Sequence, residues 1–456
     1  MRGVRFAACC SVAALASIGG SAASQSVEVH LRTPVNTARN PSAVESSGQT
    51  AGQSELVLDL LVDDVLSRHP TLAAAEAAWR AAAARYPQVV SLDDPMLDTI
   101  MAPGSIGARD VDFAYALQTR QKIPWPGKRP LRGQMAQHET GAAFQEVADA
   151  RLQLVQATKS AFYEYFVARQ LLELNVKSRD AVEQFRASAI ARYETNLVSQ
   201  QDVLLGDVEL ADLEREQFEF ARRHRVAVAR INTLLLRGPT APLPPPPTKV
   251  RGTEALSDVE TLRQLAVEQR PDLGAALSRL RLEQAGMALA NREFKPDLEL
   301  VGRYDTFWLP QDRLVGQVGV TLNVPLAQER RRAAVREASA KVSQRRAEVD
   351  RLVAQVQFEV QEAYERVAES RSVVVLYRER ILPAAEKSVQ SALASYQTGK
   401  VDFLRLVEAQ RQLIRLRQRQ VETLADYHSR VADLERAFGG PLPNGNTPEL
   451  LPMPGR

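Results

Sequence analysis

From Ile381 to Leu413 the chain reads ILPAAEKSVQSALASYQTGKVDFLRLVEAQRQL, with apolar residues recurring every three or four positions on either side of a short polar break. Before the break, Val374, Tyr377 and Ile381 continue one apolar stripe, Pro383 interrupts the hydrogen-bond ladder, and Tyr396-Gln-Thr-Gly399 supplies the left-handed residue that ends a helix. After it, Leu406, Leu413, Tyr427 and Leu434 fall at multiples of seven, with Leu424, Val431 and Phe438 at the alternate position of a coiled-coil seam. The pattern predicts two long antiparallel helices joined by a tight tip.

Applied to the whole chain, the same reading predicts a helix over 56–90 interrupted at His69-Pro70, a very long helix over 130–193 and a turn around 196–199. A shorter helix then runs to about Leu236. Two stretches switch to period two: 96–101, and Phe113, Tyr115 and Leu117 alternating with Ala114, Ala116 and Gln118, which predict a β-hairpin. The segment Gln121 to Lys128, with its Pro-Trp-Pro-Gly-Lys, is expected to break the second strand and open the long helix. Gly238 to Pro247 is expected to be an extended polyproline linker.

Beyond the linker the layout recurs. A helix over 261–294 interrupted at Arg270-Pro271, strands at 297–304 and 317–324, and helix from 327 to 396 follow in turn. The long helix carries a regular stripe through Val349, Val353, Val356, Val360, Ala363 and Val367, and the last helix ends near Phe438. Pro70, Pro95 and Pro124 recur 201 residues later as Pro271, Pro296 and Pro325. Tyr193-Glu-Thr195 and Val198 recur 203 residues later as Tyr396-Gln-Thr398 and Val401. Each half is therefore helix, hairpin, long helix, tip, helix. The expected organisation is a signal peptide (1–23), a disordered arm (24–54), a first repeat (55–238), a Pro-rich linker (239–250), a second repeat (251–438) and a tail (439–456).

Composition narrows the classes. Apolar residues make up 45% of 456, and 58 basic against 55 acidic side chains are mixed along the helices, which gives no case for nucleic acid. Arg2 and Arg5, the apolar run Phe6 to Ile18 and the small residues before Ala23 have the layout of an export signal. Both cysteines, Cys9 and Cys10, lie within that segment, so the exported chain is expected to lack thiols; the apolar run before Cys9 is short for a lipidation signal. No later stretch reaches the ~18 apolar residues of a membrane helix.

A helix of roughly 65 residues is about 100 Å long, far more than an ordinary core needs. The strands, apolar on one face and polar on the other, suit either a soluble β-layer or a membrane barrel. Four strands from one chain cannot close a barrel, since the smallest outer-membrane barrels need about eight, but an oligomer could.

With these residues in view, the chain resembles the outer-membrane efflux proteins of the TolC type. The resemblance runs from about Leu56 to Phe438. It rests on the duplicated layout, Ile-Pro-Trp-Pro-Gly-Lys128, Ile381-Leu-Pro383, Tyr396-x-Thr-Gly-x-Val401, Leu404 and Glu408-Ala-Gln410. It implies a mainly α fold with a membrane β-barrel contribution: duplicated coiled-coil helices and two β-hairpins per chain in a trimeric α-barrel/β-barrel. The homotrimer would sit in outer-membrane lipid and extend into the periplasm, as the passive exit duct for an inner-membrane pump docked through a periplasmic adaptor. The resemblance further implies that Tyr193, Thr195 and Val198, with Tyr396, Thr398, Gly399 and Val401, form adaptor-docking tips. Glu408 matches a position of a carboxylate ring at the periplasmic gate. Arg405 stands where another acid is common, which suggests a salt-bridged gate; solvated or intrahelical charges are the alternative.

No other chemistry is expected. The five histidines have no metal-ligand spacing, Asp63-Asp64 and Asp93-Asp94 sit on a helix and in a turn, and phosphate loops and nucleophile elbows are missing. No catalytic, cofactor or metal residues are therefore assigned, and the chain is expected not to be an enzyme. Phe307 and Trp308, between the last two strands, suit a membrane interface, with the capping of a loop as the alternative. The competing reading is a periplasmic coiled-coil scaffold or adaptor without a pore. The cargo is not legible.

Overall fold

The structure is a computed structural model that describes residues 55–106, 114–248, 250, 256–306 and 316–443. The expected signal peptide, arm and most of the tail, and Phe113, Phe307 and Trp308, lie outside the described residues. In the first half, α1 (Leu58–Arg68), α2 (Pro70–Ala83) and α3 (Arg85–Val90) precede β1 (Met96–Met101) and β2 (Tyr115–Ile123), followed by α4 (Lys128–Glu194) and α5 (Gln200–Leu234). In the second half, α6 (Val259–Gln269) and α7 (Pro271–Arg292) precede β3 (Asp297–Asp305) and β4 (Gln317–Asn323). There follow α8 (Gln328–Leu376), a π turn (Tyr377–Ile381), α9 (Leu382–Gln397) and α10 (Phe403–Phe438).

Local chemistry sets these boundaries. Pro70 and Pro271 open α2 and α7 at the first helical position, where a missing N–H costs nothing, and His69 caps α2 by accepting from the Thr71 N–H at 3.3 Å. The expected 56–90 helix breaks a second time, at Ala84. β2 runs on to Ile123, past the break expected at Gln121, because Gln121, Lys122 and Ile123 pair with Leu300, Glu299 and Leu298 of β3. The polyproline segment is extended but strapped down. Asn232 Nδ2 donates to Ala241 O (2.8 Å), Tyr165 Oη to Pro244 O (3.1 Å) and the Leu56 N–H to Pro245 O (2.8 Å).

The four strands form one antiparallel sheet in chain order, β1-β2-β3-β4. Its register puts Leu97, Met101, Leu117, Leu300, Val320 and Leu322 on one face, all exposed. Asp98, Gln118, Arg120, Glu299, Arg303 and Asp305 lie on the other, with Met96, Ile100 and Val301 among them. Ion pairs tie the polar face together, Arg120–Asp98 at 2.7 Å and Arg303–Asp305 at 2.8 Å. Tyr115 and Tyr304 lie side by side on the apolar face, ring centroids 6.2 Å apart, at the loop end of the strands. That is where amphipathic rings gather at a membrane surface. Among the described residues no helix is long and apolar enough to cross a membrane.

Helices meet strands at a junction built on Lys128, which is 1% exposed. Gly127 takes φ +95° just before it, a conformation an L side chain resists, and a Cβ there would come within 3.3 Å of the Arg292 Cζ. The Lys128 ammonium donates to Asp297 Oδ1 (2.9 Å), Glu293 Oε2 (3.1 Å) and Lys295 O (3.1 Å), and the Trp125 N–H shares Asp297 Oδ1 at 2.9 Å. The Pro-Trp-Pro-Gly-Lys segment of the first repeat is thereby pinned to the α7–β3 corner of the second.

Along the helices the core is a series of apolar clusters. Leu61, Val65, Phe162 and Ile231 anchor one in the first repeat; Leu262, Ala266, Val360 and Leu434 anchor its counterpart in the second. α4 runs unbroken for 67 residues. The second repeat is interrupted at the corresponding level, because Pro383 has no N–H and its ring crowds the preceding turn, which relaxes into the π turn.

Candidate functional site at the helical tips

The end of α4 and the end of α9 are closed by the same device. At the first tip Asn196 takes φ +54°, its N–H donates to Tyr193 O (2.9 Å) and the Leu197 N–H to Arg192 O (2.9 Å). At the second, Gly399 takes φ +72°, its N–H donates to Tyr396 O (3.0 Å) and the Lys400 N–H to Ser395 O (2.9 Å). Glycine and asparagine are the residues that tolerate this left-handed position, and the paired bonds satisfy carbonyls left open at a helix end. Thr195 and Thr398 add hydroxyl donors to carbonyls of the last turn, at 3.0 Å to Arg192 O and 3.1 Å to Ser395 O. The predicted Tyr-x-Thr-x-x-Val motif is thus a pair of superposable helix stops.

Their surroundings differ. Tyr193 is 43% exposed and Tyr396 is 2% exposed. Tyr396 packs with Phe403, Leu406 and Val407 against Ala189, Phe185 and Leu205 of the first hairpin, in a core that Val198 and Val401 border. The Arg192 guanidinium lies over the Tyr396 ring, 4.6 Å from its centroid, while Nη1 donates to Tyr396 O at 2.6 Å and Nη2 to Gln397 O at 3.4 Å. Further up, the carboxylate of Glu209, buried at 3% exposure, accepts from Arg411 Nε at 2.9 Å. Burial first, and the Asp402 charge second, push the Asp202 carboxyl above the usual carboxylate range. Burial likewise raises the Tyr396 phenol, against the pull of Arg192.

Of the residues assigned to a gate, Arg405 and Glu408 are both exposed on α10 and line one open groove between α9 and α10. Neither makes an ion pair with the other or with any other side chain among the described residues. The sequence reading missed Arg192, Glu209 and Arg411, which join the two hairpins of one chain. Only their placement at equivalent heights in the two repeats, visible once the register is known, signals them.

Residues 262–440 match the family model described as outer membrane efflux protein. The cobalt-zinc-cadmium resistance protein CzcC of Cupriavidus metallidurans is 22% identical over 328 residues, 69% of this chain and 74% of CzcC. Among solved structures, CusC superposes with a TM-score of 0.72 at 16% identity, covering 84% of this chain and 92% of that one. VceC of Vibrio cholerae gives 0.70 at 19% identity over 85% and 97%, and the open state of the MtrE channel of Neisseria gonorrhoeae gives 0.70 at 16% over 86% and 91%. Mainly helical, duplicated, and ending in a sheet with one apolar face, the chain has the fold of these outer-membrane channels, and its second half, over residues 262–440, matches the outer membrane efflux protein family.

Proposed function

We propose that three copies of this chain form a passive exit duct, docked at its helical tips on a periplasmic adaptor and fed by an inner-membrane pump. The observation that carries this is the four-stranded sheet. It has two unpaired edges, β1 and β4, and an exposed apolar face, both costly in isolation. Joining copies edge to edge removes every free edge, turns the apolar face to lipid and encloses the ion-paired face as an aqueous lining. A scaffold without a pore gives no reason for that arrangement at the end of helices about 100 Å long. No residue is assigned a catalytic role; the duct's task is conduction.

The test is biochemical. Protein extracted from outer membranes should run as a trimer on native gels and conduct ions as single channels in planar bilayers. Recovery as a soluble monomer without detergent would overturn the reading. Arg405 and Glu408 are proposed as the charged residues of the periplasmic aperture. If Arg405→Ala and Glu408→Ala both leave single-channel conductance unchanged, that assignment is wrong. Divalent metal cations are the cargo to test first, because CzcC is a cobalt-zinc-cadmium resistance protein. Deletion should then sensitise cells to such ions, and sensitivity to organic drugs alone would exclude that cargo.

A further inference from the structure

Midway along α4, a cavity of about 490 Å³ opens between α4, α10 and the entries to α1 and α6. Apolar side chains from both repeats wall it, among them Leu56, Phe162, Leu262 and Val431. Tyr163 and His428, also in the wall, stack with ring centroids 4.8 Å apart and planes 11° from parallel. The Lys159–Glu435 ion pair lies there too, so those two charges are already matched. Val57, on the same lining, is 45% exposed. Four positions at the limits of the described residues line the cavity: Glu55, Val250, Leu256 and Pro443. Three stretches of chain therefore begin or end beside it, and they differ in what they can put there. Residues 251–255, Arg-Gly-Thr-Glu-Ala, contain no large apolar side chain. Before Glu55 the chain is polar or small back to Val44. After Pro443, six residues, Asn444 to Glu449, lead directly to Leu450-Leu-Pro-Met-Pro454, followed by Gly455 and Arg456.

We propose that Leu450, Leu451 and Met453 of the tail fold back into this cavity within the same copy, with Arg456 directed at Glu55 and Asp59. The tail departs from a fixed point on the cavity's edge, because Ser257 Oγ donates to Pro443 O at 3.1 Å and Leu442 packs on the second repeat's core. Six residues reach up to ~20 Å, enough to turn and return, and closing so short a loop costs little entropy. Pro452 and Pro454 disfavour a helix and suit an extended run that lays side chains into a hollow. The charges are complementary as well. Glu55 and Asp59 are exposed and make no ion pair with another described residue, and Arg456 is the only cation in the tail. The tail is then a strap that ties the end of α10, in the second repeat, to the entry of α1, in the first. The contact lies within a copy, so it holds whether or not copies assemble into a duct.

Val57→Cys reports the cover, in a chain whose other cysteines, Cys9 and Cys10, lie at the amino terminus. In outer-membrane fragments, without detergent to fill the cavity, its labelling by a maleimide should quicken about tenfold when Leu450→Asp and Leu451→Asp are added, or when the chain is ended after Pro443. The two point variants keep the chain at full length, so the answer does not hang on the folding of the shortened one. A synthetic peptide of residues 444–456 should restore protection to the shortened chain, and the same peptide carrying Leu450→Asp and Leu451→Asp should not. Val57→Cys with Met453→Cys, bridged by a short bismaleimide, should close a loop within one chain and leave its mass on denaturing gels at that of a single copy. Equal labelling with and without the two aspartates overturns the strap, and so does labelling that quickens only on removal of residues 24–54, which would make the arm the occupant. Bridged products of two or three chains would assign the tail to a neighbouring copy and overturn the fold-back.

Discussion

The first and second repeats share one layout and differ most in where their polar residues point. At the membrane end, Lys128 is buried and bonded to the second repeat, while Glu329, its equivalent 201 residues later, is exposed. At mid-height, Asn175 is buried in α4 and donates to Leu213 O at 3.0 Å, while its equivalent Arg378 lies exposed on the π turn. At the tip, Arg192 clamps the second hairpin, while Ser395 clamps nothing. Duplication supplied the frame, and divergence turned the first repeat's polar side chains inward, Lys128 and Arg192 onto the second repeat and Asn175 onto α5 of its own.

The largest effect that would sharpen this contrast is at the junction. Lys128→Met should strand Asp297 and Glu293 without their cation. Breaking a fully buried pair costs about 3–5 kcal/mol; because Glu293 is 44% exposed, a loss of about 2–4 is expected here. Glu329→Gln should stay within about 0.5 kcal/mol, as exposed substitutions do. Heat-induced dissociation of the detergent-extracted trimer measures both. Equal midpoints for the two variants would break the asymmetry at its strongest point.

Smaller effects are expected further down. Arg192→Ser removes a ring contact and charge-assisted bonds from a partly buried position and should weaken the tip by about 1–2 kcal/mol. The reciprocal Ser395→Arg should not weaken it, since no carbonyl of the same copy awaits that cation. Asn175→Ala should cost about 1 kcal/mol, because Leu213 O lies on a helix and keeps its backbone partner. Hydrogen exchange of the amides around residues 189–213 reports both first-repeat variants.

Much of this was legible in the sequence, for a physical reason. Helix stripes and strand alternation are local periodicities, and Pro70, Pro271, Pro383 and Gly399 act on their own backbone, so all announce themselves without knowledge of neighbours. The β2 boundary did not, because Gln121 to Ile123 are held in the strand by β3, almost two hundred residues away. Lys128 was visible as part of a motif, but its burial depends on Asp297 and Glu293 arriving from the other repeat. Arg192 and Glu209 read as ordinary helix charges. Only the register of one hairpin on the other makes them contacts, and that register is a property of packing.

The smallest effect tests whether the contact between the two hairpins of one copy carries a built-in weakness as well as a clamp. The Asp402 charge acts on Asp202 across it, and burial, ahead of that charge, raises the Asp202 carboxyl. A carboxyl with a raised folded-state pKa is favoured in its protonated form. The penalty is therefore fully present above that pKa, near neutral pH, and is relieved as pH falls toward the unfolded value. The contact should tighten on mild acidification, the opposite of a salt-bridged carboxylate, and the clamp should hold best when the periplasm is acid. Asp202→Asn should abolish that dependence, giving at pH 7 the protection that the native tip reaches only in acid. Amide exchange at the tip, followed from neutral to acid pH and corrected for intrinsic rates, reads the difference. If native and Asp202→Asn tips show the same slope, the pair of aspartates is solvated and the contact is governed by Arg192, Glu209 and Arg411 alone.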